Sequence, residues 1–287
     1  MTPSTALRRL AVSAYAAPPD CTLERFCGLL ARRGIGGIGL TARAVEDRTP
    51  AQLAALLAAH GLRCTSLNSA GYFLHSNAAL AARQSELDAR LLDCAAALAA
   101  PVNVIPGGLD DAAMPTAVMS LAEARRRAVD GLERLASAAV EAGVRLSLEP
   151  IQPLGLTDKG CINQLSHARS VVGRLPGVGL TLDLFHSWWD ADLEMTVEDA
   201  TDDLFVVQVC GVETGPPGVP PRRTDMAKGA ADVAGLLALL ASTGWAGLVE
   251  YEVMHFQRPQ EPVALLDRAV ADFVSLTHRQ DEGRAAP

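Results

Sequence analysis

Four apolar runs in the second half of the chain each deliver an oxygen donor. Val144-Arg-Leu-Ser-Leu leads into Glu149 and Val178-Gly-Leu-Thr-Leu into Asp183, while Leu204-Phe-Val-Val carries Gln208 and Leu248-Val-Glu250-Tyr carries Glu252. A carboxylate at the exit of a buried strand is costly unless a cation or a shared proton compensates it. Three carboxylates gathered without a cation would repel one another and rise in pKa. With a divalent cation they become ligands, and an all-oxygen set suits Mn, Mg or Co, with Zn as the alternative. Glu149, Asp183, Gln208 and Glu252 are therefore the candidate ligands of one divalent metal ion. Gln208 brings an uncharged amide oxygen and holds metal less tightly than a carboxylate or imidazole. The competing reading makes each residue a satisfied polar group or helix cap at a strand end.

The neighbours of these residues suggest the chemistry. A metal that polarises a carbonyl, with a carboxylate on each face to move a proton, favours proton abstraction next to that carbonyl. Glu149 and Glu252 are the candidate acid/base pair. The outcome is isomerisation or epimerisation of a small sugar, keto-sugar or polyol derivative through a metal-stabilised enediolate. Departure of a β-hydroxyl from the same site would make a dehydratase of an inosose-like ketone, and a barrel that has lost catalysis and only binds a ligand is the third reading. His186, three residues past Asp183, either donates to a substrate oxygen or orients a ligand carboxylate, or else caps the loop. Trp188 is either an apolar wall beside a sugar face or core packing under the loop. Arg223, in the stretch after Gly215-Pro-Pro-Gly-Val-Pro-Pro, is either a bidentate clamp for substrate or a solvated loop residue. Glu250 shares strand parity with Glu252 and faces the same interior one layer deeper. It is either a partner of the ligands or a barrel-filling residue paired with Arg145.

The elements that must position these residues alternate. Strands read at Leu10–Tyr15, Ile35–Leu40, Arg63–Leu67, Val102–Pro106 and in the four runs above, with Asn68–Phe73 as a loop. Helices read at 22–33, from 50 to 60 with Thr49-Pro50 as its cap, and at 78–99, 121–142, 164–175, 197–203, 231–242 and 262–277. The Gly-rich second strand suggests bare backbone packed tightly against a neighbour. Eight strands alternating with helices predict an α/β fold, a single-domain (β/α)8 TIM barrel over residues 1–280, with 281–287 as a disordered tail. The four donors then lie at the C-terminal ends of consecutive strands, where barrel chemistry gathers. No Gly-x-Gly-x-x-Gly follows the first strand, which argues against a dinucleotide-binding open sheet.

Composition narrows the partners. A net charge of −8 over 287 residues disfavours nucleic acid, and no apolar run approaches the length of a membrane span. The six cysteines form no C-x-x-C pair and read as reduced core thiols of a cytoplasmic protein. The expected partner is a small-molecule carbohydrate, with room left for a homo-oligomer.

At these residues the sequence resembles the xylose isomerase-like TIM-barrel superfamily of sugar phosphate isomerases and epimerases. The blocks that carry the resemblance are Leu-Ser-Leu-Glu149-Pro150, Cys-Ile-Asn163-Gln, Leu-Asp183-Leu-Phe-His186-Ser-Trp-Trp-Asp190, Gln208-Val-Cys, and Gly244-Trp-Ala-Gly247 leading to Glu250-Tyr-Glu252. The resemblance implies a metal held by Glu149, Asp183, residue 208 and Glu252, with the two glutamates as acid/base pair. It also implies His186 near the substrate and Arg223 as a substrate-binding arginine. Most relatives carry histidine where Gln208 stands, and the hydroxypyruvate isomerase branch is similar in using glutamine. Many carry aspartate at the place of Gly211 and an acidic stretch at the place of Ala227-Lys228-Gly229. The repair endonucleases of the same superfamily need several histidines for a zinc cluster, which this chain lacks near the mouth.

Overall fold

The computed structural model describes residues 3–109 and 119–283. Its parallel strands are β1 (Leu10–Ser13), β2 (Gly37–Thr41), β3 (Arg63–Gly71), β4 (Val102–Ile105), β5 (Leu146–Leu148), β6 (Val178–Asp183) and β7 (Leu204–Val209). An antiparallel hairpin of β8 (Gly211–Glu213) and β9 (Arg222–Thr224) follows, and then β10 (Val249–Tyr251). Hydrogen bonding runs β1-β2-β3-β4-β5-β6-β7-β10 and back to β1, a closed eight-stranded barrel. Helices Leu23–Arg32, Pro50–Ala59, Ala78–Leu98, Leu121–Glu141, Leu165–Val172, Leu193–Asp199, Val233–Ser242 and Pro262–Gly283 follow the eight strands in turn. The single-domain (β/α)8 architecture expected from the sequence is the one observed.

Local chemistry sets the element ends. Thr49 accepts the Gln52 backbone N–H while the Gln52 side chain accepts from Thr49, a reciprocal cap with Pro50 in the first turn. Gly34, Gly61 and Gly143 follow helix ends with φ of 73°, 61° and 67°, the left-handed conformation that a glycine adopts without strain. Three segments differ from the reading above. β3 continues to Gly71 instead of ending at Leu67, because Asn68, Ala70 and Gly71 pair with Asn103, Val104 and Ile105 of β4. The Pro/Gly-rich stretch after β7 closes as the β8–β9 hairpin, with Val212 opposite Arg223. The last helix runs on through Gly283, and residues 284–287 of the expected tail lie outside the described residues.

The strands bury two kinds of surface. Outward residues such as Val12, Ile38, Leu40, Leu148, Leu180 and Leu182 pack into one apolar cluster with Phe26, Leu30, Leu53, Leu91 and Leu132 from the helices. Inside the ring the layer below the mouth is polar: Ser66, Asn68, Asn103, Ser147, Thr181, Gln208 and Glu250 are all fully buried. Barrel interiors are more often filled by branched apolar side chains. Here hydrogen bonds replace that filling. The bare backbone of β2 makes room for it, since a Cβ on Gly39 would stand 2.2 Å from Glu250 Oε1. All six cysteines are free. Among the described residues no helix is long and apolar enough to cross a membrane.

Candidate active site

Asp183 closes β6, and its Oδ1 accepts the Phe185 N–H at 2.9 Å, capping the single turn Leu184–Ser187. That turn brings His186 back over the strand end, its Nε2 3.7 Å from Glu149 Oε1 and 3.8 Å from Asp183 Oδ2. The His186 Nδ1 accepts the Gln152 backbone N–H at 3.4 Å, which assigns the ring proton to Nε2. Glu149, directly after β5, takes the Asn103 side-chain N–H on Oε2. Register places Gln208 beside Asp183 on one side and beside Glu250 on the other. Its Nε2 donates to Glu250 Oε1 and Glu252 Oε1, both at 3.1 Å. The hairpin returns Arg223 to this centre: Nη2 lies 2.5 Å from Asp183 Oδ2 and 2.9 Å from Glu252 Oε2, and Nη1 lies 3.2 Å from Asp183 Oδ1. The guanidinium also stacks 4.4 Å from the Phe185 ring centroid.

Burial and mutual charge split the pKa values of the cluster. Burial, then the charge of Asp183, pushes Glu149 up to about 7 against the pull of Asn103. Glu252 is also pushed up well above the carboxylate range, by burial first and by Asp183, Glu149 and Glu250, with Arg223 opposing. Burial pushes Asp183 the same way, but Arg223 and then His186 hold it below its ordinary value. His186 is driven down to about 3, chiefly by burial, and is a neutral donor at physiological pH. Two carboxyls that prefer a proton thus flank one that does not.

The residues fit a divalent cation. Glu149, Asp183 and His186 bring one potential ligand atom each within 4.8 Å of one another. With its proton on Nε2, His186 faces the two carboxylates as a donor, so in this tautomer the oxygens would be the ones to meet a cation. Three buried carboxyl groups, Glu149, Asp183 and Glu252, share this end of the barrel with one buried guanidinium, Arg223, and a fourth, Glu250, is buried a layer below. Gln208 Oε1 is a buried acceptor with no donor, an arrangement that costs about 1–3 kcal/mol and that a cation would relieve. Asp183 Oδ1 already accepts from Phe185 and Arg223, but Asp183 Oδ2 and both Glu252 oxygens each take one protein donor and keep a further lone pair, so Arg223 and a cation can share Asp183 and Glu252.

The structure brings Glu149, Asp183, Gln208, Glu252, His186 and Arg223 together. Trp188 lies elsewhere: it lines a cavity of about 720 Å³ with Leu184, Leu193, Leu236 and Leu239, beside helices Leu193–Asp199 and Val233–Ser242. Arg223 is not a solvated loop residue, being only 5% exposed. Glu250 is not paired with Arg145, whose guanidinium sits 4.7 Å over the Phe205 ring. Lys228 pairs with Asp225 at 3.0 Å. Sequence reasoning missed the polar floor. Asn103 Nδ2 also donates to Asn68 Oδ1, Asn68 Nδ2 donates to Ser66 Oγ, and Ser66 Oγ donates to Glu250 Oε2. The available signal was a single polar residue alternating with apolar ones in Val102-Asn-Val-Ile and Leu146-Ser-Leu.

The description "xylose isomerase-like TIM barrel" matches residues 27–271, and the chain belongs to that family. No curated protein matches it in sequence. Among solved structures, protein SMc04130 from Sinorhizobium meliloti 1021 is 24% identical, with a TM-score of 0.83 over 94% of this chain and 98% of that one. An IolI protein with a bound zinc atom is 18% identical, with a TM-score of 0.77 over 94% and 98%. The 3-keto-D-glucoside 4-epimerase YcjR from E. coli is 20% identical, with a TM-score of 0.72 over 94% and 99%. At these identities the likeness shows a shared fold.

Proposed function

We propose that this chain is a divalent-metal-dependent isomerase or epimerase of a small sugar, keto-sugar or polyol derivative. One observation carries the reading: two buried glutamates with raised pKa, Glu149 and Glu252, stand on strands three apart around the ring, with Asp183, His186 and Arg223 grouped at the same end. A carboxyl raised toward neutrality can serve as acid or base near the working pH. A cation held by Glu149, Asp183, Gln208 and Glu252 would polarise the carbonyl oxygen of the substrate. One glutamate takes the proton from the carbon beside that carbonyl. The other returns a proton to the opposite face of the same carbon in an epimerisation; in an isomerisation the proton goes to the former carbonyl carbon while the neighbouring hydroxyl proton passes to the former carbonyl oxygen. Neither course needs an oxidant or a reductant. His186 Nε2–H serves as a donor to a substrate oxygen, and Arg223 fixes the two carboxylates it forks across and offers its remaining N–H to substrate. The likeness to a keto-glucoside epimerase supports a keto-sugar substrate, and the zinc of IolI supports a metal.

The test is incorporation of deuterium from D2O into keto-sugars by the Mn-loaded protein, followed by NMR. Wild type is expected to label the carbon next to the carbonyl, and Glu149→Gln and Glu252→Gln to lose about 10²–10⁴-fold in rate. Growth of an enone absorbance in place of a relabelled sugar would make the chain a dehydratase. No exchange on any ketose or polyol ketone by metal-loaded protein would sink the reading.

A further inference from the structure

The two ends of the Gln208 amide are distinguished by their neighbours. Its nitrogen faces two carboxylate oxygens, Glu250 Oε1 and Glu252 Oε1, which together use both N–H groups. Its oxygen, at the other corner of the planar amide, is buried and without a donor. Glu250 is fully buried and lies a layer below the centre, with its own oxygens occupied. Thr65 Oγ1 and Ser66 Oγ donate to Oε2 at 2.6 and 2.8 Å, and Gln208 donates to Oε1. Gly39 leaves the space in which this carboxylate sits.

We propose that Glu250 is a positioning residue that locks the Gln208 amide with its nitrogen toward the barrel floor and its oxygen free for the metal. The inference rests on the metal-centre reading above and adds to it the group that makes glutamine serviceable as a ligand. An amide is symmetric in shape, and a half-turn about its last bond exchanges acceptor for donor. Only acceptors beside the nitrogen can fix the choice. Glu252, itself a candidate ligand, holds one N–H; Glu250 holds the other and has no second task at the centre. Replacing Glu250 by its isostere Gln offers an N–H where an acceptor stood. An arrangement with Gln208 turned over, its oxygen on the new N–H and its nitrogen toward the cation site, then competes with the one that Glu252 alone still holds.

The experiment is a double-mutant cycle read as the Kd of Mn²⁺ by titration calorimetry, on wild type, Glu250→Gln, Gln208→Ala and the double variant. Circular dichroism confirms that each is folded. Each single change is expected to weaken Mn²⁺ binding by on the order of tenfold. The double variant is expected to bind no more weakly than Gln208→Ala alone, because Glu250 then has nothing to act through. Thr65→Val, which removes one donor to Glu250, is expected to weaken binding in the wild-type background and not in Gln208→Ala. It carries the test should Glu250→Gln not fold. Unchanged affinity in Glu250→Gln, or equal losses with and without Gln208, would overturn the proposal while leaving the metal site standing. Failure of wild type to take up Mn²⁺ at millimolar concentration would bring down the metal reading, and this one with it.

Discussion

Asp183 and Glu149 are both buried carboxylates at strand ends, yet their removal should have opposite structural effects. Asp183 holds the Arg223 fork and caps the turn that carries His186. Asp183→Asn leaves a buried guanidinium short of its counter-charge, and breaking such a pair costs about 3–5 kcal/mol. Thermal melts should show a large fall in Tm together with lost metal uptake. Glu149, by contrast, prefers a proton, so Glu149→Gln keeps the shape and the Asn103 contact while removing a charge the fold resists. Its Tm is expected to equal or exceed that of wild type at pH 8, with proton exchange slowed about 10²–10⁴-fold. At this scale the clustered residues were legible because each ends an apolar run, where a carboxylate stands out. The floor residues Asn68, Asn103 and Thr181 were not, since a lone polar residue in a strand looks the same whether it faces water or a network.

At the scale of elements, the helix Ala78–Leu98 is tied to the end of β3 by one carboxylate. Asp88 Oδ1 accepts the Gly71 N–H at 3.1 Å and the Gln84 side-chain N–H at 2.7 Å. Burial raises its pKa from 3.8 to about 6, against both hydrogen bonds. The native chain therefore holds a proton that the unfolded chain gives up at lower pH. The stability gained from that proton is whole below about pH 4 and is lost as the pH rises through about 6, a difference of about 3 kcal/mol. Asp88→Asn keeps an oxygen for both donors and has no such dependence. Its Tm relative to wild type is expected to be higher at pH 8 and to lose that advantage by pH 4.5, as melts across this range would show. The order of strands and helices was legible from periodicity and from stops at Gly34, Gly61 and Gly143. The β3 extension and the β8–β9 hairpin were not, because Asn68-Ser-Ala-Gly and the Pro/Gly-rich stretch have loop composition, and pairing partners decide their conformation. For that reason the sequence left open whether Arg223 was solvated or a clamp, and only the hairpin carries it to Asp183.

For the whole molecule, a ligand that binds only the folded chain adds stability by mass action. With Mn²⁺ at a hundredfold excess over Kd the gain is about 2.7 kcal/mol, a Tm increase of about 4–5 °C for a chain of this size. Chelation should reverse it, and Asp183→Asn should show neither effect. The closed ring also determines what can vary. Gly39 on β2 and Glu250 on β10 lie on strands that both flank β1, and the space missing from one is filled by the carboxylate of the other. Gly39→Ala alone would push that carboxylate aside and, through Gln208, reach a centre it never touches. Two positions more than two hundred residues apart are therefore expected to change together. In any lineage of such barrels, a side chain should appear at the position of Gly39 only where the position of Glu250 has already shortened.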